Sequence, residues 1–295
     1  MSSLILNAST ALGLAGLYFL LASGLSLIFG LMNVLNLAHG AFFAIGGYAA
    51  WWVMDTLEIV SSLGLRFVIA VAVAALAGLV VGALVERGLV AKLYGKHLEQ
   101  ILLTIGLSYV FVALLGGWFT YDPRLMTQPA WFGTTTEIFG ANIPNNRLLV
   151  LAVAVVALVG LLVFLNRTRH GLIIRAGVEN APMVRALGID VGRSFTIVFA
   201  LGGLLAGVGG GLAAVYFNGV SPSLGTAQLI FAFIVVVIGG LGSVPGTAVA
   251  AVLVAFTQVF ANNYLATGLG SISVVVLLAL VLLVRPQGLL GRAGT

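Results

Sequence analysis

Nine continuous apolar runs occupy this chain, at about 8–30, 40–54, 66–86, 98–119, 147–165, 194–217, 226–241, 246–266 and 271–284, and almost no charge interrupts them. Each ends at charges, at Pro/Gly clusters or at Asn, Ser and Thr. Runs of about 20 apolar residues are what a helix needs to cross a bilayer. Of the 295 residues 61% are hydrophobic and 7% are charged, against about 25% charged in soluble domains. The 13 cationic and 8 acidic side chains are too few to coat a water-soluble particle of this size. Soluble, disordered and nucleic-acid-binding classes are therefore excluded. Backbone polar groups in lipid must be satisfied within the segment, so the runs are expected as helices. They lack the alternation of a membrane barrel. The expected fold is an all-α polytopic membrane protein with eight to ten crossings, in one domain spanning 1–295. Runs 40–54 and 226–241 are short and read as half-helices or full crossings.

Charge then orients the chain. Arg87, Lys92 and Lys96, then Arg167, Arg169, Arg175, Arg185 and Arg193, then Arg285 and Arg292 share one face if nine spans alternate. Arg66, Arg124 and Arg147 remain for the other, and Arg66 and Arg147 are expected to snorkel from the ends of their spans. The cation-rich face is expected to be cytoplasmic, with the N-terminus outside and the C-terminus inside. No basic segment precedes the first run, so it is expected to be retained rather than cleaved. The long loops are an outer one at 120–146 and an inner one at 166–193.

Chemistry of its own is hard to find. The chain has no cysteine, which removes thiol, disulfide and Fe–S chemistry. No G-x-x-x-x-G-K-[ST], H-E-x-x-H or G-x-S-x-G pattern occurs. His39, His97 and His170 are far apart, so no metal site and no cofactor are expected. Carboxylates are missing from span interiors, where ion-driven carriers commonly need one. Energy for uphill transport would have to enter through a partner.

Three features stand out. Between the first two runs, Asn33, Asn36 and His39 recur at three-residue spacing in Gly30-Leu31-Met32-Asn33-Val34-Leu35-Asn36-Leu37-Ala38-His39-Gly40. If helical, Asn33 and Asn36 share a face. The segment reads either as a broken helix whose polar groups line a solute path or as hydrogen-bonding glue between helices. Glycine is the second feature, with 39 in the chain. Gly203, Gly207 and Gly211 make consecutive G-x-x-x-G steps for close helix packing. The cluster Gly239-Gly240-Leu241-Gly242-Ser243-Val244-Pro245-Gly246 predicts a turn or a discontinuous helix. One interrupted segment in each half hints at an internal repeat. The third is the inner loop. Asn180 can cap a helix, Pro182 suits its first turn, and Gly188 stops it. That short helix carries exposed apolar residues and reads as a protein-docking surface or as an interfacial helix on anionic membrane lipid.

At these features the chain resembles the permease subunits of branched-chain amino-acid ABC importers, of the LivH type. The resemblance rests on Asn33-Val34-Leu35-Asn36-Leu37-Ala38-His39-Gly40, the loop from Gly171 to Gly188-Ile189, Gly239 to Gly246, and the ending Arg285-Pro286-Gln287-Gly288-Leu289-Leu290-Gly291. It implies a transport subunit with no enzymatic activity. It also implies a second, LivM-like permease, two cytoplasmic ATPase subunits and a periplasmic solute-binding protein as partners. Arg175, Glu179, Asn180, Arg185, Gly188 and Ile189 then fall in the segment that seats in the ATPase. Asn33, Asn36 and His39 match a family signature; many members carry an acidic residue after the His-Gly pair, where this chain has Ala41. Relatives in the family carry urea, short amides or other amino acids. A self-sufficient channel or secondary carrier, and a membrane enzyme, are the competing classes.

Overall fold

The computed structural model describes residues 2–188 and 191–291, apart from the side chains at 178, 179, 181, 182, 185 and 191. Ten α-helices follow in order: α1 Ser2–Met32, α2 His39–Thr56, α3 Leu63–Gly88, α4 His97–Phe119, α5 Asn145–Arg167, α6 Arg169–Ala186, α7 Val191–Tyr216, α8 Leu224–Gly239, α9 Val244–Tyr264 and α10 Leu269–Val284. Every apolar run became a helix; α6 is the additional one. Six helices are long and apolar enough to cross a membrane, and α8 and α10 are shorter apolar helices. The result is a polytopic, all-helical membrane fold. A two-stranded antiparallel hairpin, β1 Thr135–Ile138 and β2 Ala141–Pro144, interrupts it in the 120–146 loop.

The centre is α7, held against α1, α2 and α3 through glycine. A Cβ on Gly203 would overlap the Gly78 carbonyl, and one on Gly207 would overlap the Ala74 carbonyl. Gly46 of α2 meets Gly207 from another side, and Gly24 of α1 meets Gly202, whose Cα would lie 2.8 Å from an added Cβ. Gly211 is looser, 3.2 Å from Ala74 and 3.3 Å from Ala50 on the same construction. Lipid tails are as apolar as the side chains, so association depends on contact and dispersion rather than on expulsion of water. Small residues supply it by letting backbones touch.

Two helices, α2 and α8, start inside the fold. Residues 33–38 leave the end of α1 without helical structure, and α2 begins far up the side of α1, where the His39 ring reaches the Leu21 carbonyl. Residues 217–223 likewise leave the far end of α7, and α8 begins with Gly225 against Gly40. The N-termini of α2 and α8 therefore meet near mid-depth and the helices run in opposite directions. At 1.5 Å per residue they are about 27 and 24 Å long, against a hydrocarbon thickness of about 30 Å. The expected pair of interruptions is present, but the second lies at 217–223. The Gly239–Gly246 cluster is a tight turn between α8 and α9, with Gly240 and Gly242 at positive φ. Ser243 caps α9 by accepting from the Gly246 N–H at 3.2 Å, and Pro245 occupies its first turn.

The C-terminal segment closes the other end of α8. The Leu289 and Leu290 N–H groups donate to the Ile238 and Gly239 carbonyls at 2.7 and 3.1 Å. These are carbonyls that a helix end leaves without an internal partner. Gly288 and Gly291 let the two backbones touch there. Arg66 does the same for α2 and is not a snorkelling residue. Only 9% exposed, it donates to the Met54 carbonyl at 3.1 Å and to Val60 at 2.9 Å. Arg147 turns inward to Thr10.

Gly207→Val is expected to lower stability by about 1–3 kcal/mol or more, the cost of overpacking. Gly106→Ala, with nothing within 4 Å of the added methyl, should be neutral or stabilising by up to about 1 kcal/mol. Thermal unfolding of the two variants in detergent checks the contrast.

Candidate functional site

The segment from Met32 to Gly40 divides the three polar residues between two places. Asn33 sits at the end of α1 at φ 52, its N–H donating to the Phe29 carbonyl at 2.8 Å. It lines a cavity of about 750 Å³ shared with Asn166, Arg175, Ser243 and Pro245. Asn36 and His39 lie deeper and are fully buried. The chain between is not helical, so Asn33 and Asn36 share no helix face. The break is real; the periodic spacing is incidental to it.

Around Asn36 and His39 the surroundings are polar but sparse. The His39 Nε2 is 3.1 Å from the Leu21 carbonyl. A carbonyl only accepts, so in the neutral ring Nε2 carries the proton and Nδ1 is left as an acceptor. That Nδ1 and both amide atoms of Asn36 have no hydrogen-bond partner among the described residues. Helix α4 comes alongside, and its Thr104 hydroxyl donates to the Leu35 carbonyl at 3.2 Å. Phe111 of α4 meets Phe42 of α2 edge-on at 6.3 Å. Most of α4 is exposed, and Gln100, Thr104 and Ser108 are the polar part of the little it buries. Their i, i+4, i+8 spacing in an otherwise apolar helix is a signal that the sequence carries.

The arginine-rich end is assembled from distant segments. Gly30 meets Gly242, Gly177 of α6 meets Leu31, and the Leu290 N–H meets Gly239. Helix α6 is kinked at Asn180, φ −156 and ψ 84, and the Asn180 side chain accepts from the Met183 N–H at 3.0 Å. The turn of helix expected after Asn180 is therefore capped by it, and Gly188 follows at φ 76. The residues before the kink are helical as well. Leu172, Met183 and Leu187 are exposed, while Ile174 and Val184 are buried. Arg175 donates to the Asn166 side chain at 2.9 Å. Ile189 and the side chains of Glu179 and Arg185 lie outside the described residues.

A carboxylate tie holds this end together. Glu86, 2% exposed at the end of α3, accepts from the Tyr94 hydroxyl and from the Thr196 hydroxyl of α7 at 2.6 Å. Burial, with the hydrogen bond and the charge of Glu86 adding to it, raises the Tyr94 hydroxyl above the ordinary tyrosine range, so it stays neutral and donates. Among the described residues no group of three His, Cys, Asp or Glu side chains could hold a metal ion.

The sequence has counterparts among known proteins. The model of the family described as the permease component of the branched-chain amino acid transport system matches residues 7–285. The high-affinity branched-chain amino acid permease protein LivH of Salmonella typhimurium is 28% identical over 95% of this chain and 92% of its own length. BraD of Pseudomonas aeruginosa is 29% identical over 93% and 92%. LivM of Escherichia coli is 30% identical over 93% of this chain and 68% of its own. No solved structure matches significantly.

Removing the tie should loosen this end alone. Glu86→Ala leaves the Tyr94 hydroxyl without its acceptor and the Thr196 hydroxyl with only the Gly192 carbonyl at 3.3 Å, and a loss of about 1–3 kcal/mol is expected. Hydrogen exchange at the α3–α7 junction should rise while that of the α1–α9 pair stays unchanged.

Proposed function

This chain belongs to the branched-chain amino acid transport permease family, and from that premise we propose that it is the passage subunit of an ATP-driven importer of branched-chain or related amino acids. It works by alternating access. Its partners are a second, LivM-like permease, two cytoplasmic ATPases and a periplasmic solute-binding protein. The family match across residues 7–285 carries the reading. The similarity to both LivH and LivM supports a pair of related permeases. The arginine-rich end is cytoplasmic in a bacterial inner membrane, as the charge bias requires.

In this reading α6 is the coupling element. It rests on Leu31 of α1 through Gly177 and lies at the same end as the Glu86 tie. It presents Leu172, Met183 and Leu187 outward, as a docking surface needs. ATP-driven movement pushes α6, and the glycine-packed helices α1, α2, α3 and α7 shift around the passage. Hydrolysis belongs to the partners.

The reading is tested by reconstitution in liposomes. Accumulation of leucine is expected only with the partners and ATP present; accumulation by this chain alone would overturn it. Gly188→Val places a branched side chain at positive φ and is expected to reduce ATP-dependent uptake at least tenfold. Membrane insertion, followed by protease protection, should be unchanged.

A further inference from the structure

The buried amide of Asn36 and the free ring nitrogen of His39 have a physical oddity in common. Both are at zero exposure, deep in a protein surrounded by hydrocarbon, and neither has a partner among the described residues. An unsatisfied polar group there is costly. As glue between helices they are incomplete: His39 spends one ring nitrogen on the Leu21 carbonyl of α1, while its other nitrogen and the whole Asn36 amide bond to no helix. Leu, or Phe in place of the ring, would pack without that penalty. Three further features collect at the same level. The first turn of α2 begins at His39 with no side-chain cap on its N-terminus; its His39, Ala41 and Phe42 N–H groups turn back on the Asn36 and Ala38 carbonyls, and the positive end of the helix dipole carries no counter-charge. The first turn of α8 abuts it, Gly225 against Gly40. The polar stripe of α4 covers the approach from the side, bonded there through a single weak contact, Thr104 to the Leu35 carbonyl.

We infer that Asn36 and His39 hold the zwitterionic head of an α-amino acid in transit, and that α4 swings away from the 33–39 segment to admit it. The match is atom by atom. The Asn36 amide nitrogen donates to a carboxylate, which the positive end of α2 beside it favours. The Asn36 carbonyl and the His39 Nδ1 accept from an ammonium. Neither partner is charged, so an amino acid of net charge zero is held and released without burying an unpaired ion. Asn33 has no part in this contact; it lies at the arginine-rich end. In the closed arrangement seen here the two α-helix N-termini touch and the head groups wait unpaired, which favours reopening. The inference rests on the permease reading and adds to it the atoms that contact solute.

The test uses the assembled importer in proteoliposomes. Asn36→Leu removes the amide at nearly constant volume. It is expected to leave the melting temperature unchanged or raised, to keep ATP hydrolysis, and to lower leucine uptake at least tenfold. A merely structural Asn36 predicts that stability and uptake fall together, and that result overturns the inference. So does uptake equal to wild type. The absence of cysteine permits a second arm. Asn36→Cys should react with a small cationic thiosulfonate during ATP turnover, and leucine should slow the reaction. Failure to react in any state overturns the inference, as does protection by urea or acetamide but not by leucine. Wild-type behaviour separates the levels. An importer that moves no amino acid sinks the permease reading and this inference with it; one that moves leucine through Asn36→Leu sinks this inference alone.

Discussion

Backbone-to-backbone contact between glycines is what the rest of this structure depends on. Helix α7 presents Gly202 to α1 and both Gly203 and Gly207 to α3, with Gly46 of α2 seated on Gly207, and a side chain at Gly203 or Gly207 would collide with main-chain atoms of α3. In water, helices of this composition would be driven together by the hydrophobic effect. In lipid that force is missing between helices, and the attraction comes from dispersion at close range. Close approach also removes the room for large side chains at the centre, so bulk is displaced to the periphery. There α3, α4 and α5 expose most of their surface.

Close packing has a second consequence. It allows two helices to start inside the fold, since their N-termini are covered by neighbouring backbone rather than by lipid. Irregular chain at membrane depth is tolerated only where protein or water surrounds it. Residues 33–38 are bonded to α4 through Thr104, and 217–223 to the 120–146 loop through the paired Arg124 and Val220 backbones. The two helices enter from opposite ends and point in opposite directions, as in inverted-repeat transporters. Polar side chains with no charge among them then become affordable at depth, provided they have something to bind for part of the cycle.

The arginine-rich end shows how the remaining polar groups are satisfied. Helix carbonyls left over at α8 take donors from the C-terminal segment. A single buried carboxylate, Glu86, serves hydroxyls from two other segments. Together with α6 resting on α1, these bonds tie the helix ends that a movement of α6 would displace into one unit.

Hydropathy is a local property, and for that reason the nine apolar runs were legible as helices to within a few residues. So were the cap at Asn180 and the stop at Gly188, because capping involves residues three or four apart. The LivH-like signature was legible as a string and its family match followed. What the string could not contain were meetings between distant segments. The second break at 217–223 carries no stronger turn signal than the glycine cluster that was favoured over it. Its position depends on Gly225 reaching Gly40, some 185 residues away. The hairpin at 135–144, the docking of Leu289 and Leu290 on α8, and the inward turn of Arg66 are decided the same way. Asn33 parts from Asn36 because helix α1 ends between them and Asn36, unlike Asn33, is carried inward beside α4. Composition and periodicity made this a membrane passage; which polar atoms face each other across it was settled only when helices far apart in the chain came within van der Waals distance.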